Sequence, residues 1–386
     1  MVVLLFSEAK FSSLNKVVWF SLIVITTYSF LLFWLKAGIQ KATASSQVRS
    51  NKDPNTVLSV IVPFRNEKQR IGPLLTALGS QTLPTKNFEL LFIDDQSTDQ
   101  GSKLVEQFIQ ANPSFSSKLI HIPQGTLGGK KKAIEIGMNQ AKGNYVVQTD
   151  ADAIPSDNWL RSIHSYVSNS GIDLVVLPVF IHSDHSTLGE FDSMEYSSLQ
   201  AIGMGMAAQK FPILCSGTNL VYQKSFYQQV KPGRNDENQL SGDDIFLLQA
   251  AIKGEYKIGQ LLNSEVMVQT NCNTTFNDFI SQRKRWAFKN KSIKDPVYQG
   301  VTILGLATNL MILLMFFSTP KLASVYLLIK ALVDYLLLST YYASIRKSIG
   351  ISSFIINSIL YPLYLAYLII VTYSTKNSWK GRNANN

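Results

Sequence analysis

The run GNYVVQTDADAIPSDNWL (residues 143–160) decides how the chain is read. A short apolar strand, YVVQT, ends there, and two carboxylates separated by one small residue, Asp150 and Asp152, follow at its C-terminal edge. Hard divalent cations such as Mg²⁺ and Mn²⁺ prefer oxygen ligands and bridge protein carboxylates to substrate phosphates. An Asp-x-Asp placed after a strand therefore suits a nucleotide diphosphate held through a metal. The same pair taken alone is also what an ordinary acidic turn looks like, so its neighbours carry the decision.

Upstream, VLSVIVPFRNE (57–67) opens on a continuous apolar run, the pattern of a parallel strand buried on both faces. A helical segment follows over 71–80, then the strand FELLFIDDQSTD (88–99), a helix over 102–111, the strand SKLIHIP (117–123) and a Gly-rich basic turn entering another helix. Strand and helix alternate, which predicts an α/β unit with a mainly parallel sheet. Such sheets bind ligands beyond the carboxyl ends of their strands. Arg65 to Glu67, Asp94 and Asp95, Lys130 to Lys132, and Asp150 with Asp152 all fall at those ends.

Hydropathy divides the 386 residues into two kinds of segment. Val17 to Leu35 carries no charge and meets the requirement of ~20 apolar residues for a bilayer span. Lys36, Lys41, Arg49 and Lys52 follow it, and no small-residue cleavage site is evident, so it reads as an uncleaved anchor. Three further candidates lie at Val301–Phe317, Leu322–Ile345 and Ile351–Tyr373. Lys330 and Asp334, four apart in the second, are expected to pair on one helix face. The resulting division is an N-terminal anchor (1–36), a cytoplasmic catalytic domain (50–292), C-terminal transmembrane helices (298–375) and a basic tail (376–386). The positive-inside rule puts the middle portion in the cytoplasm, on the inner membrane, but three full C-terminal spans would put the basic WKGR (379–382) outside, so one is expected to be re-entrant or interfacial.

Charge and cysteine narrow the classes further. The 36 Lys and Arg exceed the 26 Asp and Glu, but they cluster beside the apolar segments, which points to anionic lipid headgroups and away from nucleic acid. Cys215 and Cys272 are too few for a disulfide framework or a zinc site. His182 and His185 are read as loop residues, and Asn273 of NTT as a formal glycosylation acceptor without consequence in the cytoplasm. The Met- and Gly-rich segment 191–210 reads as core packing, with lipid contact the alternative.

The ordered motifs SVIVPFRNE, IDDQSTD, GKKKA, TDAD, SGTN, GDD and QRKRW resemble those of the membrane-bound family 2 glycosyltransferases of the GT-A fold, over roughly residues 57–290. The resemblance implies a Rossmann-like α/β catalytic domain flanked by transmembrane helices. It further implies transfer of a sugar from a UDP-sugar with inversion, aided by Mg²⁺ or Mn²⁺. Position by position, Pro63, Arg65 and Glu67 match the loop around nucleobase and ribose, and Asp95 the carboxylate that accepts from uracil, with Asp94 beside it. Lys130 matches a cation near the diphosphate. Asp150 matches a donor contact and, with Asp152, the metal site.

On the acceptor side, the run after Cys215, with Gly217, shapes a pocket in the resemblance. SGDD (241–244) matches a Gly-Glu-Asp motif, with Asp243 where Glu is commoner and Asp244 as general base. The bland reading of that pair is a helix N-cap, and both can hold, Asp243 capping while Asp244 reacts. Gln282 and Arg285 are implied to face the diphosphate, and Trp286 to stack under the acceptor. Phe276, Phe279, Ile280, Trp286 and Phe288 lie among Arg283, Lys284, Arg285 and Lys289, the pattern of a basic membrane-surface helix that also roofs the site. The expected function is a glycosyltransferase acting on a membrane-delivered lipid. The alternatives are a processive polysaccharide synthase and a non-catalytic nucleotide-sugar sensor. The Gly-rich phosphate loop of a nucleotidyltransferase is absent.

Overall fold

The computed structural model describes residues 2–45, 56–126, 128–168, 170–233, 243–290, 293–374, 378–379 and 382–383. Arg49, Lys52, Ser241 and Gly242, and most of the 376–386 tail, lie outside the described residues. The elements run α1 (Val2–Ser45), β1 (Leu58–Phe64), α2 (Ile71–Gly79), β2 (Phe88–Asp94), α3 (Gly101–Ala111), β3 (Ser116–His121), α4 (Lys130–Gln140) and β4 (Tyr145–Thr149). There follow β5 (Ile154–Pro155), α5 (Trp159–Val167), β6 (Leu174–Val176), β7 (Val179–His182), α6 (Thr187–Ala208), β8 (Asn219–Gln223) and α7 (Lys224–Val230). The last are α8 (Asp243–Lys253), β9 (Ile258–Gln260), β10 (Val268–Asn271), α9 (Phe276–Asn290), α10 (Pro296–Ser318), α11 (Pro320–Ser344) and α12 (Ile351–Ser374).

Seven strands form one sheet in the order β3-β2-β1-β4-β8-β6-β9. The first four are parallel, as the buried apolar runs predict, and β8 pairs antiparallel with both β4 and β6. A second small sheet, β5-β10-β7, stands beside it. Alternation along β1 serves two cores: Val60 and Val62 pack with Leu74 and Trp159, and Ile61 packs on the opposite face with Ala133 and Ile134. Pro63 is tolerated in this central strand because it stands beyond Ile61, the last residue paired with β4.

The second of these cores does not stop at the sheet. It continues through α6 into α1 and α11, joining Ile61 and Leu91 to Met204, Leu35, Ile39, Leu338 and Tyr341. Helix α1 accordingly runs past the apolar segment to Ser45, and Leu35 and Ile39 are fully buried. Gly205 of α6 is required there, since a Cβ on it would lie 2.9 Å from the Leu35 Cβ. The Gln209 side chain also donates to the Trp34 carbonyl at 2.5 Å. Helix α1 is thus packed as a wall of the α/β unit.

Among the described residues, four helices are long and apolar enough to cross a membrane: Val18–Ala44, Pro296–Ser318, Pro320–Ser344 and Ile351–Thr372. They display Phe30, Leu314, Phe317, Leu328 and Ile370 to the outside, a surface suited to lipid. Their local signals are clear. Asp295 caps α10 by accepting from the Tyr298 N–H at 2.7 Å, with Pro296 at the first turn. Lys330 and Asp334 pair at 2.5 Å, as their spacing predicts.

Leu35→Ala is expected to destabilise the full-length protein by about 3 kcal/mol, the scale of a large-to-small change in a packed core. Thermal unfolding in detergent reads this out, and an unshifted Tm would show α1 to be a mere tether.

Candidate active site

The site forms where β4 ends beside β8. Asp150 leaves β4 with one carboxylate oxygen 2.5 Å from Lys130 Nζ and the other accepting from Thr218 Oγ1 at 2.7 Å. Lys130 is the first residue of α4, set by Gly129, whose φ of 122° only glycine adopts easily. Burial works against the Lys130 charge, but Asp150, Asp243 and Asp244 outweigh it and hold the ammonium protonated well above the ordinary lysine range. Asp243, buried at the start of α8, accepts from Gln148 Nε2 at 2.9 Å. Asp244 accepts from the Gly217 N–H at 3.0 Å and from the Ile245 N–H at 2.8 Å.

Gly217 is where these pieces meet. A Cβ there would lie 2.7 Å from Gln148 Nε2, 3.4 Å from Asp244 Cβ and 3.4 Å from Lys130 Nζ. The small residues of CSGTN are thus needed for close approach of backbone to carboxylate.

Asp152 stands apart from Lys130. Its carboxyl is pushed up by burial and then by Asp150 and Glu67, and Thr270 Oγ1 donates to it at 3.3 Å. A carboxylate destabilised by its neighbours, without a facing ammonium like that of Asp150, fits a hard divalent cation. Among the described residues no group of three His, Cys, Asp or Glu side chains could hold a metal by itself. The donor set therefore suits a cation shared with a diphosphate and water, the usual arrangement for Mg²⁺.

On the β1–β2 side, Asp95 is buried, accepts from the Gly129 N–H at 3.0 Å through Oδ2, and leaves Oδ1 without a partner. Arg65 Nη1 lies 3.9 Å from Asp95 Oδ2 and donates to the Asp95 carbonyl at 3.2 Å. Glu67 closes the turn into α2, its carbonyl accepting from the Arg70 and Ile71 N–H groups. Asp94 is committed to the fold: its oxygens accept from the Ser97 N–H at 2.9 Å and pair with His121 Nδ1 at 2.9 Å.

Helices α6 and α9 close the other side. Trp286 lies against Tyr196, with ring centroids 5.5 Å apart, and the Arg283 guanidinium sits 4.3 Å from the Trp286 ring centre. Arg283 is buried and pairs with Asp192 at 2.5 Å and Glu195 at 2.7 Å. Gln282 accepts from Asn273 at 3.0 Å and from Arg283. The Arg285 charge is disfavoured by burial and partly restored by Asp150. Burial pushes the Tyr196 hydroxyl up to about 12, so it stays a neutral donor. Lys130, Asp150, Asp152, Gly217, Asp243, Asp244, Gln282, Arg285 and Trp286 all line one cavity of about 930 Å³.

A family model described as Glycosyl transferase family 2 matches residues 59–230, and one described as Glycosyl transferase family group 2 matches residues 145–372, more than half of the chain. The chain belongs to the family 2 glycosyltransferases. It is 28% identical over 202 residues to the glycosyltransferase AglE of Haloferax volcanii, covering 52% of this chain and 63% of that one. It is 29% identical over 119 residues to the poly(ribitol-phosphate) beta-N-acetylglucosaminyltransferase TarS of Staphylococcus aureus, covering 31% of this chain and 20% of that one. The matched segments thus span less than two thirds of either relative. The solved mannosyltransferase PcManGT of Pyrobaculum calidifontis superposes with a TM-score of 0.53 at 18% identity, covering 91% of this chain and 97% of that one. That likeness shows the shared fold, GT-A.

Within this family 2 glycosyltransferase, three features differ from the reading of the sequence. Arg283 does not face a membrane surface; it is drawn inward because Asp192 and Glu195 are buried on α6 and need a cation. Those two buried acids, three apart, are the signal that the segment 191–210 holds an ion cluster as well as the core residues Met194, Ala201, Met204 and Met206. Asp243 meets Gln148, and it is Asp244 that takes the first backbone N–H of the helix pair. Asn273 serves as a bridge between Asp192 and Gln282. Gln148 and Thr218, which hold Asp243 and Asp150, lie within the YVVQT strand and the SGTN motif, but no sequence pattern gave either of them a role.

Gly217→Ala is expected to lower kcat/KM by about 100-fold, the scale of a misplacement near 1 Å among reacting groups, with the Tm preserved. Undiminished turnover would show that the close approach at Gly217 is incidental.

Proposed function

We propose that the chain is an inverting glycosyltransferase that moves a hexose or N-acetylhexosamine from a UDP-sugar to the hydroxyl of a membrane lipid. The observation that carries this reading is the continuity of the cavity. From Asp152 and Asp244 it runs on between the membrane-type helices, past Leu32 of α1, Leu306 of α10 and Leu337 of α11. A lipid can hold its head at the carboxylates and its tail among these helices.

Roles follow from the groups present. Asp95 Oδ1, buried and unpartnered, supports recognition of a ring N–H, as uracil offers. Guanine offers one too, and PcManGT was solved with GDP-Man and Mn²⁺, so a GDP-sugar is the donor to compare. A Mg²⁺ or Mn²⁺ ion held by Asp152 with Asp150 would neutralise charge on the departing diphosphate. Lys130 and Arg285 place fixed positive charge on the same side. Asp244 takes the acceptor hydroxyl proton as the new bond forms, its carboxylate oriented by the Gly217 N–H. Trp286, backed by Arg283, offers its face to the acceptor. A carboxylate base is of use to a hydroxyl and of little use to an already ionised phosphate, which favours an alcohol acceptor. The orientation that serves this chemistry is a cytoplasmic catalytic domain on an inner membrane.

Membranes bearing the wild type or Asp244→Asn, supplied with labelled UDP- and GDP-sugars and Mg²⁺ or Mn²⁺, test the reading. Label is expected in the organic phase, reduced by about 10³-fold in the variant, with nucleotide-sugar binding retained. Label in a high-mass polymer would establish a polysaccharide synthase instead, and normal transfer by Asp244→Asn would remove the base. Calorimetry on Asp152→Ala is expected to show nucleotide-sugar binding that no longer responds to Mn²⁺; an unaltered response would remove Asp152 as a ligand.

A further inference from the structure

Deep in the cavity its wall is polar, although the helices there are of membrane type. Lys330 of α11 is 3% exposed and gives one hydrogen bond, to Asp334 Oδ2 at 2.5 Å. The ammonium has three N–H donors to place. It lies 5.8 Å from the Tyr28 ring centre and 5.4 Å from that of Tyr361, so α1 and α12 enclose it. Tyr28 also donates to the second Asp334 oxygen at 2.6 Å.

One turn before Tyr361 on the same face of α12 stands Asn357. It is 6% exposed, lines the cavity, and makes no hydrogen bond to any described residue. Pro362 adds a third element: it has no N–H, so the Ser358 carbonyl lacks its usual helical donor. In hydrocarbon every polar group must be met from within, and polar residues left otherwise mark a ligand path. This stretch of wall therefore carries hydrogen-bonding capacity that the protein does not use.

Charge selects among ligands. The buried cations Lys330 and Arg283 are set against three buried or half-buried carboxylates, Asp334, Asp192 and Glu195, and Tyr364 of α12, with its ring centre 5.8 Å from that of Tyr361, donates to Glu195 at 3.5 Å. The region offers no surplus positive charge to a phosphate. Uncharged carbonyl and hydroxyl oxygens suit it.

We propose that Lys330, Asn357 and Tyr361 form a subsite for the carbonyl-bearing linkage of a neutral lipid, of the diacylglycerol or ceramide kind, whose free hydroxyl lies at Asp244. The subsite rests on the lipid-acceptor reading above and names the chemistry of that lipid. The test uses the full chain in lipid nanodiscs and whichever nucleotide sugar the membrane assay selects. Acceptors are diacylglycerol, ceramide, a long-chain primary alkanol without carbonyls, and a polyprenyl phosphate. The wild type is expected to prefer a carbonyl lipid over the alkanol by about tenfold or more in kcat/KM, the scale of one or two hydrogen bonds. Asn357→Leu and the milder Tyr361→Phe are expected to shrink that ratio several-fold through KM. Lipids glycosylated without discrimination, a ratio unmoved in both variants, or preference for polyprenyl phosphate would each overturn the subsite while leaving the lipid reading intact. Label confined to a polymer would remove the lipid reading, and the subsite with it.

Discussion

Like charges repel, and the site gathers Asp150, Asp152, Asp243 and Asp244 at one sheet edge around the ammonium of Lys130, with Arg285 beside Asp150. Two unit charges 4 Å apart interact by about 4 kcal/mol at an effective dielectric of 20. An arrangement of this kind survives only if each carboxylate is held by something positive or by hydrogen bonds. Asp150 has Lys130 and Thr218, Asp243 has Gln148, and Asp244 has two backbone N–H groups. Asp152 is held by the Thr270 hydroxyl at 3.3 Å, a backbone N–H and the charge of Arg70, which together do not offset its burial and the charges of Asp150 and Glu67. The rest of the site follows from meeting this constraint.

The same principle recurs on the acceptor side. Asp192 and Glu195 are buried on α6, and removing one partner of such an ion cluster generally costs more than the cluster contributes. Arg283 answers both, and its planar guanidinium then has one face left for the Trp286 ring. The Trp286 ring is thereby held in place by a buried ion cluster. The packing of α1 against Gly205 joins the long apolar helices to the core of the sheet, and the cavity passes from the carboxylates to those helices.

Much of this was legible in the sequence. Buried parallel strands announce themselves as uninterrupted apolar runs, because both faces are covered, and ligand-binding residues must then fall just past the strand ends. That geometry placed Asp94, Asp95, Lys130 to Lys132, Asp150 and Asp152 at strand ends, and the family resemblance singled out Asp95 and Lys130 among them. The four apolar helices and the Lys330–Asp334 pair were equally plain, since each depends only on residues near in sequence.

Other features were decided by contacts between distant segments, which no local pattern records. Arg283 looks like any cation of a basic amphipathic helix until α6 is seen to carry two buried acids beside it. Asp94 and Asp95 are adjacent and chemically identical, yet the fold spends one on Ser97 and His121 and leaves an oxygen of the other free. The sequence by itself determined the family, the α/β class, the membrane helices and the carboxylates, because periodicity and strand-end chemistry are local. Only the tertiary structure decided which carboxylate is held by what, and that the cavity continues among the long apolar helices, because burial and charge pairing join residues from 20 to 95 positions apart.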